Sequence, residues 1–224
     1  YIQEAPAMRA IVIGGAGDKA FCAGADLGRR AADTGGGLEH GGGDTFRPAF
    51  EAMLDTIVNY PAPVIAAVNG AALGAGMQLA VACDVRVVAP NATFGIPAAR
   101  LGVLLSATNI TRVAVLVGQA MARDLLLTAR TIDIDEAERV GIVQRRADDA
   151  YGAACALADE VAALAPLSIS GHKYALNLVA GRNALEPDQI AELSQLEEAA
   201  FASRDLEEGI TAFGEKRSPQ FEGR

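Results

Sequence analysis

Val64-Ile65-Ala66-Ala67-Val68-Asn69-Gly70-Ala71-Ala72-Leu73-Gly74-Ala75-Gly76-Met77-Gln78-Leu79-Ala80 is an apolar run that breaks into small residues and resumes as a helix. The residues from Val64 to Val68 are apolar throughout and read as a buried strand. Gly74 and Gly76 flank Ala75 at the helix start, so the Ala75 N–H sits at the positive end of a helix dipole. Small residues there let a ligand approach the backbone, and N–H groups rather than side chains do the binding. The arrangement recurs upstream, where Ala10-Ile11-Val12-Ile13 precedes Lys19-Ala20-Phe21-Cys22-Ala23-Gly24-Ala25-Asp26-Leu27. Two N–H donors converging on one oxygen stabilise charge that develops on a carbonyl. Either turn alone reads more readily as an ordinary structural connection than as a site; the pair in this order is far more specific.

Two cheaper motif readings fail. Gly74-Ala75-Gly76 opens like a dinucleotide fingerprint, but Leu79 holds the third glycine position. Gly14-Gly15-Ala16-Gly17-Asp18-Lys19 has glycines and a lysine, but Ala20 stands where a P-loop needs Ser or Thr.

The rest of the chain narrows the function classes. Its 224 residues are ample for one core with an appended helical segment. A net charge of −9 disfavours nonspecific binding to nucleic acid or an anionic membrane. Cys22, Cys83 and Cys155 are too few and too irregularly spaced for a disulfide framework or a zinc site, and read as small core residues in a reducing compartment. Asn, Asp, Arg or Lys interrupts every apolar run before it reaches membrane-spanning length. Tyr1-Ile2-Gln3-Glu4 lacks the basic start and apolar region of a secretory signal. The expectation is a soluble cytoplasmic protein.

Along the chain, a strand over 9–14 leads into the first turn. Residues 28–45, with Gly35-Gly36-Gly37 and Gly41-Gly42-Gly43, form a loop that reads equally as mobile surface or as a flap over a binding site. Phe46, Phe50, Met53, Leu54, Ile57 and Val58 repeat at helical spacing and leave Glu51 and Asp55 outside. Pro61 and Pro63 end that helix. Val85-Arg86-Val87-Val88 reads as a strand, and Thr93-Phe94-Gly95-Ile96-Pro97 as a short extended piece. Beyond residue 107 the pattern is helical, broken by one short strand near Ile142-Val143. Asp135 is the expected cap of the helix running to Gly141, with Glu138 completing a capping box. Later helices are expected over 148–164, 167–180, 187–203 and 205–216.

Together the two turns resemble the crotonase superfamily, the enoyl-CoA hydratase/isomerase family, and the resemblance runs from Arg9 to Arg224. It implies an α/β fold, a crotonase-type (ClpP/crotonase) spiral of ββα units. Residues 1–165 would form the core and 166–224 a helical carboxy-terminal region that mediates trimer formation. Homotrimers, or hexamers built as dimers of trimers, are the family's assemblies. Family members usually carry an amino-terminal strand pair and helix before the strand at residue 9, where this sequence almost begins; a shortened sequence and a substituted contact at that sheet edge are both compatible with that. The ligand implied is a coenzyme A thioester, bound as substrate or ligand with no further cofactor and no metal. On the family pattern, Ala25 and Ala75 donate the oxyanion-hole N–H groups to the thioester oxygen. Lys19, Ala23, Ala25, Asp26 and Leu27 fall at positions that hold coenzyme A. Phe213 and Lys216, in Ala212-Phe213-Gly214-Glu215-Lys216-Arg217, would contact it from the final helix, often in a neighbouring subunit. Without the motif, each lysine reads as a solvated surface charge.

The departures bear on chemistry. Family hydratases set two glutamates around one water; Gln78 and Ala98 hold those positions here. Glutamine can hold a water but cannot act as a general base near neutral pH, and alanine cannot handle a proton at all. Leu101-Gly102-Val103-Leu104-Leu105-Ser106-Ala107-Thr108-Asn109 replaces the Gly- and Pro-rich turn of hydratases. With Cys83-Asp84-Val85-Arg86-Val87-Val88-Ala89-Pro90, these features resemble actinobacterial members lacking both glutamates, some of which bind acyl-CoA without turning it over. His40 reads as an exposed loop histidine, His172 as a surface residue, Asp26 as a turn residue bonding nearby backbone, and Ser106 as an ordinary hydroxyl with no evident base. The expectation is an acyl-CoA-binding protein with weak or absent hydratase activity. The alternative is an active hydratase/isomerase-type enzyme of fatty-acid metabolism with non-standard acid/base groups.

Overall fold

Val64–Val68 is buried on both faces, and its neighbours explain why. In the computed structural model, which describes residues 8–25, 46–181 and 187–220, this strand (β3) lies inside a parallel sheet. Its partners are β1 (Ile11–Gly14), β5 (Val85–Val88) and β8 (Arg145–Arg146), in the order β1-β3-β5-β8. A second sheet runs β2-β4-β6-β7, from β2 (Ala20–Cys22), β4 (Ala71–Leu73), β6 (Thr93–Gly95) and an antiparallel β7 (Thr131–Asp133). From β1 to β6, successive strands alternate between the two sheets, so each pair adds one turn to a spiral.

The helices cover the sheets. They are α1 (Phe46–Asn59), α2 (Ala75–Ala82), α3 (Ala107–Thr128), α4 (Ile134–Arg139), α5 (Ala150–Ala162), α6 (Pro166–Gly181), α7 (Pro187–Phe201) and α8 (Arg204–Glu215). Period-two geometry then divides β3 between two cores. Val64, Ala66 and Val68 join Leu54, Met77, Phe94 and Leu125. Ile65 and Ala67 face the other way, with Val87 and with Ala150, Ala154 and Leu157 of α5.

Two buried cations tie the periphery to this core. Arg86 is 3% exposed; its guanidinium donates to the carbonyls of Ala80, Cys83 and Ile142, and burial lowers its pKa to about 10. Lys173 on α6 donates to the carbonyls of Ile57 and Ala62 and to Asp84 at 2.7 Å, while Asp84 also accepts from the Val64 N–H. Burying a charge is costly unless it is paired or hydrogen-bonded: Lys173 is paired with Asp84, and Arg86 is satisfied by three carbonyls.

The elements expected over the first hundred residues form close to their predicted bounds, as do the late helices. Three local expectations need correction. Ile142 and Val143 are buried but not a strand; pairing with Val87 and Val88 falls on Arg145 and Arg146. The strands β2, β4 and β7 of the second sheet were not anticipated. The cap of α4 is Asp133, whose carboxylate accepts from the Glu136 N–H at 2.9 Å, whereas Asp135 lies inside the helix and pairs with Arg146.

Candidate active site

Parallel pairing of β2 with β4, with Ala20 opposite Ala71 and Cys22 opposite Ala72, sets the two turns that follow these strands side by side. The fit is close. A Cβ added at Gly76 would lie 1.9 Å from the carbonyl oxygen of Cys22, and one at Gly70 would lie 2.4 Å from that of Lys19. Asn69 fastens the base of the arrangement: its Oδ1 accepts from the Gly15 N–H and its Nδ2 donates to the Gly15 carbonyl, both at 3.1 Å. Gly74 adopts φ 57, a left-handed conformation suited to glycine, and its N–H donates to the Gly95 carbonyl at 2.9 Å. That bond brings in a third turn, the one after β6, so three successive strand ends open on one side.

These strand ends wall a cavity of ≈ 160 Å³. Ala23, Gly24 and Ala25 line it from the first turn, Gly74, Ala75 and Gln78 from the second, and Ile96, Pro97 and Ala98 from the third. Leu101, Val103, Leu104 and Leu105 complete an apolar wall, all facing in. Phe46 and Phe50 of α1 stack at 5.4 Å and enter the opposite side with Phe201. An apolar cavity of about 150 Å³ holds a benzene-sized molecule, so this one suits a short acyl group. Ala75 is the first residue of α2, where a backbone N–H has no acceptor within its own helix.

Gln78 and Ala98 are equally defined. Gln78 turns its amide back on its own helix, where Nε2 donates to the Gly74 carbonyl at 3.4 Å. Ala98 presents a methyl group from the 3₁₀ turn Pro97–Leu101. The final helix supports this wall from behind: a Cβ on Gly209 of α8 would lie 2.7 Å from the Leu101 carbonyl oxygen.

Of the sequence-predicted residues, Ala23, Ala25, Ala75, Gln78 and Ala98 meet in this cavity. Lys19 does not line it; the residue is exposed in the β1–β2 connection, and its carbonyl accepts from the Ala71 N–H. Phe213, 64% exposed, and Lys216, the left-handed cap of α8, do not line it either. Asp26, Leu27, His40 and the glycine-rich loop lie outside the described residues. His172 is exposed on α6, as expected.

Two readings are overturned. Glu51, assigned to the solvent face of α1, lines the cavity. Ser106, read as lacking a partner that could act as a base, caps α3 and donates its hydroxyl to Glu51 Oε1 at 2.8 Å. Asn109 Nδ2 donates to the same oxygen at 2.7 Å. Arg112 Nη1 in turn donates to Asn109 Oδ1 at 2.8 Å and pairs with Asp55. An arginine can only donate, so this contact fixes the Asn109 amide with its NH₂ toward Glu51. Arg47, one turn before Glu51, also lines the cavity and lays its guanidinium 4.8 Å from the centre of the Phe201 ring. The helical spacing carried a usable signal: Glu51 lies three residues before Leu54 and seven before Val58, on the inward stripe.

The thiol of Cys83, buried behind this region, is pushed up to about 12 by desolvation and stays neutral at physiological pH. It therefore behaves as a core residue rather than a nucleophile.

Comparison with known proteins agrees with this architecture. The family model described as enoyl-CoA hydratase/isomerase matches residues 1–224. Mitochondrial methylglutaconyl-CoA hydratase of Rattus norvegicus is 34% identical over 226 aligned residues, covering 96% of this chain and 68% of the relative. A Mycobacterium tuberculosis protein named as a probable enoyl-CoA hydratase, echA8, is 39% identical over 98% of this chain and 82% of its own length. Among solved structures, methylmalonyl-CoA decarboxylase in complex with 2-nitronate-propionyl-CoA superposes with a TM-score of 0.84 at 26% identity. It covers 98% of this chain and 83% of that one.

Proposed function

This chain belongs to the enoyl-CoA hydratase/isomerase family and has its crotonase-type α/β fold, and on that premise we propose that it is an acyl-CoA-binding protein with weak or absent hydratase activity. The thioester carbonyl accepts from the backbone N–H groups of Ala25 and Ala75, and the acyl group enters the apolar cavity beyond them. The observation that carries this reading is the meeting of both turns with Gln78 and Ala98 in one cavity. The carbonyl-binding side is kept while both acid positions hold groups without acid/base capacity. Losing one acid/base group typically costs ~10²–10⁴-fold in rate, and here two are replaced.

Coenzyme A would leave the cavity past Ala23 and the segment carrying Lys19; Asp26 and Leu27 also fall at coenzyme A positions of the family pattern. Phe213 and Lys216 do not reach the cavity of their own chain, which fits a contact with coenzyme A held by a neighbouring subunit. Assembly as a homotrimer, or a hexamer of two trimers, draws support from α6, where Leu167, Tyr174, Leu176, Leu178 and Val179 are each at least 48% exposed. No single helix among the described residues is long and apolar enough to cross a membrane.

Calorimetric titration with butyryl-CoA, paired with a crotonyl-CoA hydration assay, tests the reading. Saturable binding is expected, with hydration at least ~10²-fold slower than family hydratases achieve. Hydration at their rate would overturn the reading of weak or absent hydratase activity, and absence of binding would overturn the acyl-CoA assignment itself. One observation favours the second reading, an enzyme with a non-standard acid/base group: the carboxylate of Glu51 lies in the same cavity.

A further inference from the structure

Among the described residues that line the cavity, the ionisable side chains are Arg47 and Glu51. An arginine stays protonated and cannot act as a base in this pH range, so Glu51 is the group able to accept a proton. Both of its hydrogen bonds among the described residues fall on Oε1, from Ser106 and Asn109. Oε2 is thereby the oxygen that remains for a ligand. The donors also hold the carboxylate still: Ser106 is fixed as the cap of α3, and Asn109 is fixed by Arg112.

We propose that Glu51 is the proton-transfer group of this site and that the site moves protons on the acyl chain without adding water. The proposal rests on the acyl-CoA reading given above. Glu51 Oε2 removes a proton from the thioester α-carbon. The C–H electron pair passes into the thioester as an enolate, whose oxygen is held by the Ala25 and Ala75 N–H groups. With a saturated acyl-CoA the carboxylic acid exchanges its proton with solvent and returns one to the α-carbon. With a 3-enoyl-CoA it delivers the proton to the γ-carbon, and the double bond moves from the β,γ to the α,β position. Each route returns Glu51 to the state in which it began, and neither needs an oxidant, a reductant or an added water. Ser106 and Asn109 are positioning residues that hold the carboxylate.

The test is deuterium incorporation into butyryl-CoA in deuterium oxide, followed by mass spectrometry. The wild-type protein is expected to label the α-carbon. Glu51→Gln is expected to slow labelling by ~10²-fold or more while butyryl-CoA binding persists. Glu51→Asp, which keeps the carboxylate, should recover part of the rate. Ser106→Ala should slow labelling less than Glu51→Gln. Wild-type protein that binds butyryl-CoA without labelling it would overturn the proposal, as would labelling by Glu51→Gln at the wild-type rate. Protein that fails to bind butyryl-CoA would instead overturn the acyl-CoA reading beneath it. The second route predicts conversion of 3-hexenoyl-CoA to 2-hexenoyl-CoA with the same order among the variants, and Glu51→Gln converting as fast as wild type would likewise count against Glu51.

Discussion

Gly76→Ala is expected to destabilise the protein by about 3 kcal/mol, the upper end of ordinary overpacking, and to lower acyl-CoA affinity at least tenfold. The added methyl would lie 1.9 Å from the Cys22 carbonyl oxygen, 2.7 Å from its carbon and 2.8 Å from the Cys22 Cβ. Two of these three atoms are strand backbone, which cannot swing aside as a flexible side-chain end can. Relief must come from parting β2 and α2, and that parting separates Ala25 from Ala75. Stability and binding should therefore fall together, read by urea unfolding and by butyryl-CoA titration. Gly171→Ala on α6 serves as the control. Its methyl would meet nothing within 4 Å, and alanine at a helical position should be neutral or stabilising by about 0.5–1 kcal/mol. A Gly76→Ala protein with unchanged stability and affinity would mean that close approach of the two turns is not what builds the site.

The second large effect is a gain. Gln78→Glu combined with Ala98→Glu is expected to raise crotonyl-CoA hydration by ~10²-fold or more, because each acid/base group contributes on that scale. The glutamine amide now donates to the Gly74 carbonyl. A carboxylate cannot make that bond, so the introduced group is repelled from the carbonyl and turned toward the cavity. Residue 98 already faces the cavity from the third turn. With both acids in place, one can hold its proton while the other is ionised, as neighbouring carboxylates tend to do. Neither single substitution should match the pair, since addition across a double bond needs both a base and an acid. If the double variant binds butyryl-CoA and remains inert, the apolar wall of Leu101, Val103, Leu104 and Leu105 excludes the water that the acids would hold.

How much of this was legible depended on how far each signal extends along the chain. The strand Val64–Val68 was readable because five buried residues in succession leave a mark no surface segment copies. The strands β2 and β4 were hidden inside Gly/Ala turns, since three residues are too few to display alternation. The strand β7 was missed for the same reason, with Ile132 its lone buried position. Near residue 142 the hydrophobic signal marked core rather than pairing: Ile142 is fully buried, yet the ladder with β5 forms three residues later at two arginines.

At the site, Ala25 and Ala75 line the cavity, and their turns were legible because runs of Gly and Ala after apolar strands stand out in the sequence. Glu51 was not, because a polar residue on an amphipathic helix is assigned to water by default. Here the inward stripe of α1 meets a cavity as well as a core, and a carboxylate is tolerated there once Ser106 and Asn109 bond to it. Ser106 was misread for a related reason, since its partner lies 55 residues away in sequence and only folding brings the two together.

The central claim is that this protein polarises an acyl thioester carbonyl through the backbone of two turns. Its most direct test is the infrared difference spectrum of butyryl-CoA, isotope-labelled at the thioester carbonyl, free and bound. The account predicts that the labelled C=O stretch moves to lower frequency on binding, and that Ala75→Pro, which removes one donor at a helix position where proline fits, reduces the shift. A bound carbonyl that absorbs where the free one does would contradict it.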